Sequence, residues 1–116
     1  MSRHGWKRAE RHAAALIGGR RYPANTGGPV DCESATCVAQ VKARGRLSLA
    51  ELTTLAVEME RVGRERGKHG LVIVKCSAGR GRATPYLVTM TAAVWQDVAE
   101  SGGTTHPVNV REEGSI

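Results

Sequence analysis

Phenylalanine is missing from this chain, and only two Trp and two Tyr stand among its 116 residues. Aromatic side chains supply the largest single burials in most cores. Here aliphatic residues and alanine must carry the burial instead. No apolar run approaches the ~20 residues that a membrane-crossing helix needs. The N-terminus carries no signal-peptide pattern, and the three cysteines are odd in number, which together lead us to expect a reducing, cytoplasmic setting. Cys32 and Cys37 lack the spacing of a zinc site, and His4, His12, His69 and His106 are scattered. The cysteines, Cys76 included, read as small buried hydrophobes. Internal repeats are absent.

What is present is positive charge. Seventeen Lys and Arg face eleven Asp and Glu, giving a net charge of +6 and a pI near 9.8. A small domain this basic favours a polyanionic partner. With 41% hydrophobic residues, it can build one modest core, and the length fits one domain. We expect that domain over 1–99, followed by a flexible tail over 100–116 that is rich in Gly, Thr, Ser and charge.

The pattern predicts a first helix from about Gly5 to Ile17, with Trp6, Ala13, Leu16 and Ile17 as its apolar stripe. Glu10 shares that inward face. A carboxylate there needs a partner, either a nearby Arg or Lys or a bound cation. Gly18-Gly19 ends the helix, and Arg20 to Gly28 reads as a loop. Two strand-like runs follow, Pro29-Val30-Asp31-Cys32-Glu33 and Cys37-Val38-Ala39-Gln40-Val41-Lys42. Alternation puts Asp31 and Glu33 on one face, Val30 and Cys32 on the other, and Gln40 and Lys42 beside Val38. Paired as a hairpin, the runs set Asp31 roughly opposite Gln40. Oxygen ligands for a hard cation then sit beside an ammonium suited to phosphate.

Ser48 and Glu51 form a capping box for a helix to about Arg66, closed by Gly67. Leu49, Leu52, Leu55, Ala56, Met59 and Val62 form its stripe, and Glu51, Glu58, Arg61, Arg64 and Glu65 its solvated face. Leu71 to Cys76 reads as a buried central strand. Ser77 to Thr84 reads as a basic connection, Pro85 to Met90 as another strand, and Thr91 as the cap of a short helix to about Val98. The expected fold class is α/β, a mixed central sheet with flanking helices in the order αββαββα.

Asp31, then Gln40-Val41-Lys42, with Glu10 on the first helix and the basic Gly-rich stretch Ile17 to Pro23, resembles the PD-(D/E)XK nuclease superfamily. Within it, the likeness is to the Holliday-junction-resolvase-like branch, from about Lys7 to about Val98. The resemblance implies a restriction-endonuclease-like core and Mg²⁺-dependent cleavage of DNA, with Mn²⁺ able to substitute. Branched DNA and a homodimer follow as expectations. Glu10, Asp31, Gln40 and Lys42 would be catalytic. Asp31, Gln40, the Val41 carbonyl and Glu10 would hold the metal. Gln40 stands where most relatives carry an acid, which removes one negative charge from the site. Glu33 could restore that charge, a conjecture of ours that the family pattern does not contain. Arg20, Arg21, Arg44, Arg46, Arg80 and Arg82 would contact DNA phosphates. The alternative is a nucleic-acid-binding module that keeps the nuclease fold without catalysis. RNA in place of DNA is compatible with the same residues.

Overall fold

The computed structural model describes residues 3–22, 28–44, 46–76, 81 and 83–103. Over these residues the chain is an α/β fold with a mixed sheet. Helix α1 (Arg3–Leu16) leads into short strands β1 (Arg20–Arg21) and β2 (Cys32–Glu33), then β3 (Cys37–Arg44). Helix α2 (Leu49–Arg66), strand β4 (His69–Cys76), strand β5 (Tyr86–Thr89) and helix α3 (Ala92–Gly103) complete it. The strands lie side by side in the order β1-β2-β3-β4-β5. β3 and β4 are parallel, joined by the α2 crossover, and every other pairing is antiparallel.

Two apolar layers flank the sheet, and strand alternation assigns residues to each. Ala39, Val41, Leu71 and Ile73 face α1 and α3, packing with Ala9, Ala13, Ala14 and Val94. Val38, Val72 and Val74 face α2, packing with Ala56, Met59 and Val62. With no phenylalanine to fill space, the layers close by letting backbones approach. Gly70 marks the tightest approach, because a Cβ there would lie 1.7 Å from the Met59 carbonyl oxygen of α2. Helix α1 uses three buried alanines to the same end.

The strongest local signals appear as expected. Ser48 Oγ accepts from the Glu51 N–H at 3.0 Å, and Glu51 accepts from the Ser48 N–H at 2.9 Å. Gly67 closes α2 in a left-handed conformation, and Thr91 Oγ1 accepts from the Val94 N–H at the start of α3. Cys32 is buried, Cys37 and Cys76 are half-buried, and all three are free thiols packed with the apolar layers.

Several expectations need correction. Arg20–Arg21 is a strand and not a loop, so the order is αβββαββα. It pairs with β2, a long-range contact that no local pattern announces. Leu49 and Leu16 fall outside their expected stripes, at 79% and 51% exposed. Each occupies a helix end, beyond the reach of the sheet. Helix α3 runs past Glu100 to Gly103. The tail over 104–116 and the loop over 77–80 lie outside the described residues, as does the side chain of Trp6.

The expected alternation at Asp31 also fails. Cys32 joins the α1 layer, as hydrophobic alternation allows, but Val30, two residues earlier, joins the α2 layer. The hydrogen bonds explain this. Cys32 is aligned with Ala39, yet the Asp31 N–H also donates to the Ala39 carbonyl, at 2.9 Å. The strand thus slips by one residue at Asp31, the offset of a β-bulge, which re-aims side chains at a ladder's end.

Candidate metal and nucleic-acid site

The slip at Asp31 builds the site. Strand β2 covers β3 only at Val38 and Ala39. Beyond them no strand among the described residues pairs with the outer edge of β3, and its Val41 N–H needs an acceptor. Asp31 supplies one, its Oδ2 accepting from Val41 N at 2.8 Å. In a strand the N–H and C=O of one residue turn to the same side, so the Val41 carbonyl lies along this same edge.

Glu10 reaches the edge from α1. It is 4% exposed, and the other buried residues described on α1 are Ala9, Ala13 and Ala14. Arg21 on β1 donates to it through Nε at 3.1 Å. Burial is the main cause that raises the Glu10 carboxyl above its ordinary value. The Arg21 hydrogen bond opposes that shift, and the nearby charge of Asp31 adds to it. Burial likewise raises Asp31, against the Val41 N–H and the positive charges of Lys42 and Arg21. Asp31, in the bend before β2, thus feels Arg21 from β1 and Lys42 from β3, and its charge in turn acts on Glu10 from α1.

The outcome for each candidate differs. Asp31 lies within electrostatic reach of both Glu10 and Lys42, with Lys42 on the α2 side of β3. Gln40 is half-buried on the α2 side of β3, next along the strand from the residues that β2 covers. Neither Gln40 nor Lys42 hydrogen-bonds another described side chain. Arg21, expected to contact DNA, pairs with Glu10. Its neighbour Arg20 is exposed and lines a separate cleft. Arg46 is exposed. Arg80, Arg82 and the Arg44 side chain lie outside the described residues.

Glu33 does not restore the missing charge. It accepts from the Tyr22 hydroxyl, from Arg66 at 2.9 Å and from Lys68 Nζ. Lys68 also donates to the Ser34 carbonyl at 2.8 Å. Tyr22, Glu33, Ser34 and Lys68 border a cleft of about 470 Å³ that includes Gly18, Gly19 and Arg20. Sequence reasoning missed this cluster because Glu33 meets cations more than thirty positions away. It missed as well the stacking of His12 on Tyr86 across α1 and β5.

Among the described residues, no group of three or more His, Cys, Asp or Glu side chains could hold a metal ion. The set at the edge has two carboxylates, an amide two residues before Lys42 and a backbone carbonyl. Of the two carboxylates, Glu10 is buried and is raised in part by the charge of half-buried Asp31; a hard dication would relieve that repulsion and keep several waters. No helix among the described residues is long and apolar enough to cross a membrane. No family model, no curated protein and no solved structure matches the chain.

Proposed function

We propose that this chain is a metal-dependent endonuclease of the PD-(D/E)XK kind, with a restriction-endonuclease-like core, cleaving DNA phosphodiester bonds. The observation that carries the reading is Asp31, held by the Val41 N–H at the edge of β3 and within electrostatic reach of both Glu10 and Lys42. Asp31 and Glu10 would hold Mg²⁺, with the Val41 carbonyl and Gln40 as neutral oxygen ligands. When bound, the ion supplies Lewis-acid activation and charge neutralisation at the phosphate. The Val41 N–H fixes the Asp31 carboxylate, so its free oxygen has one orientation. Arg21 fixes Glu10. Lys42 orients the attacking water or steadies the negative charge that develops on the phosphate. The net charge of +6 supports a polyanionic substrate. Branched DNA and a symmetric dimer extend the reading by fold-level analogy.

A second reading has its own support. Gln40 leaves the site with two carboxylates, which favours a binding module that has lost catalysis. One experiment separates the two. Purified protein is incubated with linear, flapped and four-way DNA, with and without Mg²⁺ or Mn²⁺. Metal-dependent cleavage is the expected result. Binding without cleavage under every condition would favour the module.

A further inference from the structure

His12 and Tyr86 stack with ring centroids 4.1 Å apart and planes 23° from parallel. Tyr86 is half-buried, its ring resting on the apolar layer beneath α1. His12 lies outside it and is exposed. The stack thus presents an aromatic surface to solvent in a chain with very few aromatic residues.

Its surroundings are those of a nucleic-acid surface. Arg8, one helical turn before His12 on the same face of α1, is exposed, and its charge acts on the Tyr86 hydroxyl. Leu16, one turn after His12, is 51% exposed and extends the apolar strip. Lys75 is the direct cross-strand partner of Tyr86. The register also locates the strip: Lys75 follows Val74, and Val74 is aligned with Lys42 on β3. The aromatic strip and Lys42 therefore lie at the same end of the sheet.

From this geometry we infer that His12 and Tyr86 form a stacking platform for an unpaired nucleobase, with Arg8 and Lys75 meeting the adjoining phosphates. Every base has a π face, so such a platform takes any sequence. A base inside a duplex has both faces covered, so the ligand is single-stranded: a flap, an end or a junction strand. The inference rests on the nucleic-acid reading above and adds to it the element that recognises unpaired strands.

The test uses the full chain and a short thymidylate oligonucleotide carrying one 5-iodouracil. Irradiation of the wild-type complex followed by mass spectrometry should place the crosslink on His12 or Tyr86. His12→Ala should weaken oligonucleotide binding by about 5- to 100-fold, the range for losing one stacked base. His12→Phe should restore it to near wild type. The salt dependence should stay unchanged, because the phosphate contacts remain. Affinity for a blunt duplex should not move. If the ring pair only clips α1 to β5, His12→Ala will lower the melting midpoint and weaken both DNA forms alike. That outcome, wild-type oligonucleotide affinity in His12→Ala, or crosslinks confined to other residues would overturn the inference. The wild-type crosslink decides the matter even if His12→Ala fails to fold. A crosslink at His12 together with no cleavage of any substrate would sink the nuclease reading and leave the platform standing.

Discussion

Two carboxylate clusters lie a few residues apart along β3, and they are built differently. Glu33 receives a hydroxyl and two cations directly, from Tyr22, Arg66 and Lys68. It clasps the end of α2 to the sheet. Asp31 receives one backbone N–H, and Lys42 acts on it through its field, without a hydrogen bond between them. Glu10 is buried and feels the charge of Asp31. Glu33 has little capacity left for a ligand. The Glu10–Asp31 pair has carboxylate oxygens to spare and a repulsion that a cation would relieve. Saturation marks a structural cluster, and unmet electrostatic demand marks a candidate site.

The largest expected effect breaks this contrast on the functional side. Asp31→Ala and Lys42→Ala should each lower metal-dependent cleavage by about 10²-fold or more, with the fold and DNA binding retained. Lys68→Ala should leave cleavage near wild type. Rates on one DNA substrate, with circular dichroism as the control for folding, check this. Normal cleavage by Asp31→Ala would move the chemistry elsewhere.

Next comes the structural cluster. Glu33→Ala removes the partner of half-buried Lys68 and of exposed Arg66. It should cost about 1–3 kcal/mol in denaturant unfolding, the range for hydrogen bonds to charged groups. A loss well below 1 kcal/mol would mean that solvent screens the cluster and that it holds α2 only weakly.

A smaller effect of opposite sign is expected at Asp31. Its folded-state carboxyl is raised above the ordinary 3.8. In the pH window just above 3.8 this carboxyl therefore binds more protons in the folded chain than in the unfolded one, and its contribution to stability falls as pH rises through that window. Asp31→Asn keeps an oxygen for the Val41 N–H and removes the charge. Without divalent metal it should be more stable than wild type at neutral pH, with the gain shrinking as pH falls toward 4. Added Mg²⁺ should raise the melting midpoint of wild type more than that of Asp31→Asn. A variant less stable than wild type at neutral pH would show that the aspartate charge is already well compensated.

The finest adjustment is Gln40→Glu, which adds a third carboxylate. Divalent-ion affinity should tighten by roughly tenfold, with cleavage at least retained. Calorimetric titration decides it. Unchanged affinity would remove Gln40 from the ligand set.

The comparison also marks how much of the molecule its sequence could tell. Residue identities and short-range periodicity determined α2 with its capping box, the buried β4, the inward placement of Glu10 and the α/β class. Each depends on contacts within a few positions, which period and propensity encode. The excess of basic residues determined the surface charge, whatever the fold. Tertiary structure alone decided the rest. Arg20–Arg21 became a strand because β2 offered an edge. Arg21 turned to Glu10, eleven residues earlier, and left Arg20 at the surface. Asp31 departed from alternation because its N–H took the Ala39 carbonyl and its side chain took the uncovered Val41 N–H. Glu33 was claimed by Arg66 and Lys68, and His12 met Tyr86 across 74 positions of chain. The physical reason is common to all of these. A hydrogen-bonding or charged group left over at the edge of an element is satisfied by whatever packing brings near it, and no local pattern specifies that partner.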